Sequence, residues 1–442
     1  MGVLLQAFYW DCPREAGVEF GWWQHVNARL EGLRSVGFTA LWLPPCSKAM
    51  NARSMGYDPF DFFDLGEFDQ RGAVPTWFGT KAELVGLITA AHARGMQVYA
   101  DAVYNHMSGG DMEHNPDFNC DRWTRFQPAS GRFAFDYRCF HPSRYQRVDG
   151  QAWGDMPDLC HTNPTVYTAV MEHTAMLIAD IGFDGFRFDF VKGYGAWMVQ
   201  AMQRRQYARD GKIIVPFGVG ESWSGENEID VWLDEVNRGG DNPVSAFDFP
   251  LRYRLKEMCD SFAFSLRRLP DHGTVVDTRS ELAVTFVDNH DFRGGDSSPI
   301  VNDKLMAYAF ILTHPGYPCV YWQDYFECAL GRPGSPSGIA ALVTAHERHA
   351  AGAAIVRYVD DDLYVMERTG WHSVPGLVFV LNNRGDRWQG TFVDTTRSNT
   401  AFRPVAWWSG RDGSAPQPTG TAADGRGQFW APPRGYAVYA PT

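Results

Sequence analysis

Gly185-Phe-Arg-Phe-Asp-Phe-Val191 is a short apolar run carrying two charged residues, Arg187 and Asp189, and its reading decides the fold. Strands buried on both faces in a parallel sheet need such runs. Similar ones occur at Val3–Trp10, Thr39–Pro44, Gln97–Asn105, Ile213–Glu221, Val244–Pro250, Leu282–Asn289 and Tyr317–Trp322. Helical patterns alternate with them up to about residue 352, which is the signature of βα units around a parallel sheet. From Trp22 to Val36 the residues Val26, Leu30 and Leu33 make one apolar stripe, and Thr80 caps a second helix carrying Leu84, Leu87 and Ile88. Eight units of this kind predict an α/β protein with a (β/α)8 barrel.

Two segments depart from the alternation. Between Met107 and Asn163 the periodicity fails over a length too great for an ordinary βα loop, so a subdomain is expected as an insertion after the third strand. Beyond residue 353, short alternating strands such as Asp362–Glu367 and Leu377–Leu381 are separated by Gly, Pro and Asn turns, which predicts a C-terminal all-β sandwich domain. The expected division is a barrel of residues 1–106 and 164–352, an insert of 107–163 and a third domain of 353–442.

With 442 residues, 45% of them hydrophobic, the chain can bury a large core. A net charge of −12 without a basic run opposes nucleic acid as a partner. Aromatic residues reach 14%, including 16 Trp and 18 Tyr, and rings with a polar edge suit sugar faces as well as barrel cores. No apolar stretch is long enough to span a membrane, and the first residues carry no basic segment followed by an apolar core. Gly2–Trp10 already reads as a strand, which suits a secreted protein whose signal precedes this numbering or, alternatively, a cytoplasmic one. The eight Cys include no CxxC pair; Cys259 and Cys319 read as buried free thiols, while pairing of Cys120 with Cys139 stays open.

A (β/α)8 barrel builds its site at the carboxyl ends of the strands. Here four strands end in polar groups: Asp101-Ala-Val-Tyr-Asn105-His106, Arg187-Phe-Asp189-Phe-Val-Lys192, Gly220-Glu221-Ser-Trp223 and Asp288-Asn289-His290-Asp291. Residues two apart share a strand face, so Arg187 and Asp189 are expected to point into the barrel mouth while Phe186, Phe188 and Phe190 pack outward. A guanidinium favours the ionised carboxylate that a nucleophile needs. Taken alone, Arg-x-Asp is more commonly a structural ion pair. Glu221 lies among Gly, Val, Phe and Trp, an apolar setting expected to raise its pKa and keep it protonated as a general acid. Asp291 supplies a third carboxylate, suited to hold sugar hydroxyls and an oxocarbenium-like transition state. Together these residues ask for glycoside hydrolysis.

The motifs Asp101–His106, Gly185–Lys192, Gly218–Trp223 and Phe286–Asp291 resemble, in order, the four sequence regions of the α-amylase family, glycoside hydrolase family 13. Met156-Pro-Asp-Leu-Cys160 is similar to that family's short motif in the inserted domain. The likeness to α-amylases of plants and hyperthermophilic archaea extends through Leu5-Gln-Ala-Phe-Tyr-Trp-Asp11, Met55-Gly-Tyr-Asp-Pro59, Asp64-Leu-Gly-Glu67 and Phe183–Tyr194. The resemblance implies endo-acting, retaining hydrolysis of α-1,4-glucans such as starch, glycogen and maltooligosaccharides by a monomer. It assigns Asp189 as nucleophile, Glu221 as acid/base and Asp291 as transition-state stabiliser. His106, Arg187 and His290 would surround the sugar at the cleavage point, Tyr57 would stack on it or serve as a core aromatic, and Lys192 and Trp223 would lie on the leaving-group side.

The resemblance further implies Ca2+ in the inserted domain, held by Asn105, Asp149, Asp158, the carbonyl of Gly193 and a backbone contact at Gln151. Archaeal relatives add zinc on two His and a Cys; His141 and Cys160 match, but Gln146 replaces the second His and Arg147 and Val148 replace adjacent cysteines, so no tight zinc site is expected. Competing readings are a carbohydrate-binding relative without catalysis, a related transglycosylase, and a maltooligosaccharide-forming amylase of defined product length. Trp388, Trp407, Trp408 and Trp430 either fill the core of the C-terminal domain or form a starch-granule surface site.

Overall fold

A computed structural model describes residues 2–14, 17–295 and 297–442. Each expected run contributes one strand to the barrel: β1 (Leu4–Gln6), β2 (Ala40–Trp42), β3 (Gln97–Ala102), β4 (Gly185–Phe188), β5 (Phe217–Gly220), β6 (Ser245–Phe247), β7 (Ala283–Phe286) and β8 (Tyr317–Tyr321). They hydrogen-bond in the closed order β1-β8-β7-β6-β5-β4-β3-β2, an eight-stranded barrel among the described residues. The pairings β2–β3, β3–β4, β4–β5, β5–β6, β7–β8 and β8–β1 are parallel. The ladders stop before the apolar runs do, which keeps Asp101 and Arg187 within the sheet and leaves Asp189, Glu221 and Asp288–Asp291 beyond it.

The outward alternation expected for Phe186, Phe188 and Phe190 therefore ends at Phe188. Phe190 lies beyond the strand at φ 42°, with its ring 4.9 Å from that of Trp153. The run at Ile213–Glu221 is also divided. Lys212–Ile214 pairs with Tyr207–Arg209 in a separate hairpin, and Pro216, which has no N–H for a ladder, separates it from β5. Pro250 belongs not to a strand but to the first turn of helix α1 (Phe249–Asp260), where the Asp248 carboxylate accepts the Leu251 N–H at 3.0 Å. The expected Trp22–Val36 helix is two helices, Trp22–Asn27 and Leu30–Val36, because the Arg29 N–H turns to Val26, three residues back. Thr80 caps Lys81–His92 with a full capping box through Glu83.

The chain packs as two compact units, Met1–Tyr9 with Leu33–Thr39 and Asp248–Thr442, and Trp10–Gly32 with Ala40–Phe247. In the first, a six-stranded antiparallel sheet is built from Ala354–Val359, Leu363–Arg368, Leu377–Asn382, Gly435–Pro441, Ala401–Ser409 and Thr419–Gly420, in that spatial order, beside a two-stranded sheet of Gln389–Asp394 and Arg426–Ala431. Val365, Val378, Val380, Phe402, Phe429 and Tyr439 form its buried core. Buried Arg434, next to that sheet's Gly435–Pro441 strand, donates to the carbonyl of Cys259 in α1 at 2.7 Å and to Asp303, ahead of the helix Lys304–Ile311, at 2.6 Å.

In the second unit, residues 107–163 contain a hairpin of Asp111–Asn115 and Cys120–Arg125 and a cluster in which the Phe140 ring meets Phe126 at 5.3 Å and Phe135 at 6.2 Å. Every described cysteine is a free thiol, so the Cys120–Cys139 pairing left open by the sequence does not form. Cys120 faces Asn115 across the hairpin, while the buried Cys139 sulfur receives the Asn163 amide. Cys259 and Cys319 are buried free thiols as expected. No described helix is long and apolar enough to cross a membrane.

Candidate active site

The register of β4 brings three acidic residues to one guanidinium. Asp101 on β3 pairs with Arg187, and Phe188 pairs with Gly220 on β5, so Asp189 and Glu221, one residue further on, leave neighbouring strands side by side. Arg187 is 1% exposed. Its Nη1 lies 2.7 Å from Asp101 Oδ1 and 2.5 Å from Asp189 Oδ1, and its Nη2 lies 2.8 Å from Glu221 Oε2. Glu221 also accepts the Phe190 N–H at 3.1 Å. The purely apolar setting expected for Glu221 is thus corrected, because the chain distant in sequence delivers a cation to it.

Asp101 sits beneath this pair. It accepts from Tyr57 Oη at 2.6 Å and Trp42 Nε1 at 3.0 Å, and burial pushes its carboxyl up to about 6 against the pull of Arg187 and of those donors. Tyr57 is half-buried and its ring stacks on Trp10 at 6.1 Å. His106 donates from Nε2 to the Tyr57 carbonyl at 2.8 Å, and burial holds the ring below the ordinary histidine pKa and hence neutral. With Nε2 carrying the hydrogen, Nδ1 is left to accept from the Asn105 amide at 3.3 Å. Lys192 Nζ is anchored on the Trp223 carbonyl at 2.8 Å.

That Asn105 contact leaves its Oδ1 buried without a hydrogen bond, and Asp149 Oδ1 and Asp158 Oδ1 share this condition. An added Cβ at Gly193 would fall 1.8 Å from Asn105 Oδ1, and one at Gly150 would fall 2.3 Å from the Gly193 carbonyl oxygen, so two glycines let backbone and ligand oxygens crowd together. Buried oxygens in such a state fit a hard cation. His141 joins the cluster: ligand atoms of His141, Asp149 and Asp158 all lie within 4.8 Å of one another. His141 was read from the sequence only as one of two matches, with Cys160, to a three-ligand zinc set. Its Nδ1 meets the Gln146 carbonyl at 3.0 Å and its Nε2 approaches Asp149 Oδ1 at 2.8 Å, without hydrogen-bond alignment. The Gln146 amide turns to the Val148 carbonyl, and the Cys160 sulfur lies 3.4 Å from Thr162 Oγ1. Gln151 is exposed and donates its backbone N–H to the Lys192 carbonyl at 3.0 Å.

In the other unit, the residues after β7 separate into two kinds. Asp288 is buried on Arg252 at 2.6 Å and Lys304 at 2.8 Å, with Lys304 also bound to Asp324 at 2.6 Å. Asp291 turns outward, its side chain 25% exposed, with His290 Nε2 3.4 Å away. Gln6 on β1 hydrogen-bonds His290 Nδ1 at 2.9 Å and Phe8 covers that ring at 5.0 Å. Sequence reasoning gave no role to Trp42, Trp10 or Gln6; the last two were quoted only within the Leu5–Asp11 stretch of the family likeness, and Trp42 was signalled only by its place on a strand. Trp153, half-exposed and parallel to His106 at 6.4 Å, carried no signal at all.

The description "Alpha amylase, catalytic domain" fits residues 12–327. An α-amylase of Geobacillus stearothermophilus is 32% identical over 85% of this chain and 76% of its own length. The glucan 1,4-α-maltohexaosidase of Bacillus sp. (strain 707) is 29% identical over 97% of this chain and 90% of its own. The likeness to plant enzymes is present, at 27% identity to probable α-amylase 2 of Arabidopsis thaliana over 74% of this chain and 76% of that one, but these bacterial relatives share more. In fold, the chain superposes on the acarbose complex of an α-amylase from Geobacillus thermoleovorans with a TM-score of 0.70 at 20% identity, covering 100% of this chain and 98% of the other. This chain belongs to the α-amylase family and is a glycoside hydrolase of α-1,4-glucosidic bonds.

Proposed function

We propose that the chain is an endo-acting, retaining α-amylase in which Asp189 attacks the anomeric carbon while Glu221 protonates the departing glycosidic oxygen. Glu221 then takes a proton from water, the water oxygen bonds to the anomeric carbon, and Asp189 is released with the α configuration kept. The observation that carries this reading is the single buried guanidinium shared by Asp189 and Glu221 at adjacent strand ends. Retention needs carboxyls about 5–5.5 Å apart, and a shared guanidinium holds two carboxylates close. In this reading Asp291 stabilises the positive charge that develops on the sugar, and Arg187, His106 and His290 orient it. Tyr57, stacked on Trp10, offers the sugar face. Lys192 and Trp223 act on the leaving-group side.

Calcium belongs to the same proposal. Asn105, Asp149 and Asp158 supply the buried oxygens, with the Gly193 carbonyl beside them and Gln151 contributing through its backbone. When bound, the ion supplies charge neutralisation that braces the insert next to the nucleophile strand. The division into barrel (1–106 and 164–352), insert (107–163) and C-terminal domain (353–442) goes with it.

The test is the anomeric configuration and length of early products from soluble starch, read by NMR and chromatography for wild type and Glu221→Gln. Rapid α-anomeric maltooligosaccharides of mixed length, nearly abolished in the variant, are expected. β-Anomers would sink the retaining mechanism, and one dominant product length would favour the maltooligosaccharide-forming alternative, which the similarity to a maltohexaosidase raises.

A further inference from the structure

We propose that the C-terminal sheets carry a second α-glucan site, in a cavity of about 560 Å³ walled by Trp388 and Trp430 with Gln417, Gln428, Ser414 and Thr419 on its rim. The four tryptophans of this region do not act alike. Trp407 packs against the buried core of the sheet, whereas Trp430 is 40% exposed at the cavity.

Both cavity rings are held from behind. The Trp388 N–H is committed to Asp412 Oδ2 at 2.7 Å. Trp430 faces Gly390 across the two-stranded sheet of Gln389–Asp394 and Arg426–Ala431, and a Cβ there would come within 2.4 Å of its ring, so glycine lets the indole lie flat on the strand. The Trp430 carbonyl accepts from Tyr439 Oη at 2.8 Å, and Thr419 Oγ1 donates to the Gln428 carbonyl at 2.8 Å, which fixes the strand and the rim. Among the described residues, the side-chain amides of Gln417 and Gln428 make no hydrogen bond.

Fixed indoles for apolar sugar faces and the uncommitted amides of Gln417 and Gln428 for sugar hydroxyls suit a neutral polysaccharide, and among the described residues no charged side chain lines the cavity to favour an ionic ligand. The occupant is a segment of an α-1,4-glucan chain. The inference rests on the α-glucan reading of the active site and adds a site that holds the polymer without cleaving it.

Affinity electrophoresis through amylopectin gels, on the Asp189→Asn background to prevent turnover, compares that variant alone with Trp430→Ala and Gln428→Ala added. Each addition is expected to weaken amylopectin binding, Trp430→Ala by about tenfold, as loss of a central aromatic anchor does. Circular dichroism identifies a Trp430→Ala protein that has failed to fold, in which case Gln428→Ala decides. Unchanged retardation in a folded variant overturns the second site. Failure of the wild type to release sugars from soluble starch overturns the α-glucan reading itself, a separate result.

Discussion

Two buried charge networks stand at strand ends of the same barrel, and they are built on opposite arithmetic. Around Arg187, one guanidinium serves the three carboxylates of Asp101, Asp189 and Glu221. Around Asp288, two carboxylates meet two cations, Arg252 and Lys304, with Tyr308 Oη donating to Asp324 at 2.7 Å. Burial acts against the Lys304 charge, yet Asp324 and Asp288 hold its ammonium well above the usual lysine range. A balanced network locks charges in place and does no chemistry. An excess of carboxylates keeps groups that gain by being neutralised, whether by a proton or by a positive centre developing on a sugar. Both networks contain an acid from a strand-end motif, so charge balance is what separates the scaffold from the site proposed for Asp189 and Glu221.

Neutralising one acid in each network tests that distinction. Asp189→Asn is expected to lower starch hydrolysis on the order of 10³-fold, the scale on which covalent and acid–base groups act. It should leave the melting temperature unchanged or raised, since one repulsive charge is gone. A fall in stability as large as that from Asp288→Asn would break the comparison. Asp288→Asn should cost about 3–5 kcal/mol in urea unfolding, because it leaves buried Arg252 and Lys304 with too little negative charge. If its cost is below about 1 kcal/mol, the range of exposed pairs, the network is not the brace inferred here.

A smaller effect is expected at the oxygen cluster of Asn105, Asp149 and Asp158, where each side chain keeps one buried oxygen without a hydrogen bond. Chelator should lower the melting point and added Ca2+ restore it, with a stabilisation of about 2.7 kcal/mol at a hundredfold excess over Kd. Indifference to both, together with no bound metal by elemental analysis, would remove the calcium proposal while leaving catalysis untouched.

The smallest effect sharpens the picture within the Arg187 network. Asp101 is raised from 3.8 to about 6 when folded, so between these values the folded state binds more protons than the unfolded chain. Its contribution to stability therefore declines as pH rises through that window. Asp101→Asn should flatten the decline in a stability profile across it. An unaltered profile would mean that Arg187 already compensates Asp101 fully.

Much of this was legible in the residues. All eight barrel strands announced themselves as apolar runs because burial on both faces demands them, and Thr80 marked a helix start by local chemistry, to which the structure adds Glu83. Asp189, Glu221 and Asp291 were visible as polar residues ending such runs. The break at Ala28–Arg29, the hairpin that detaches Ile213 from β5, and the helical start at Pro250 were not, since each depends on a few local bonds that an apolar pattern does not report.

What the amino-acid sequence determined by itself is the set of elements and the candidate acids, because periodicity and residue type are local properties. Which acid faces which cation was decided by the tertiary structure alone. Asp288 and Asp291 lie in one motif, yet the first is buried between Arg252 and Lys304 and the second turns outward beside His290. Asp101, Asp189 and Glu221 come from three strands, and register brings them to Arg187. Charge acts through distance and burial, and both are created only when strands far apart in sequence are set side by side.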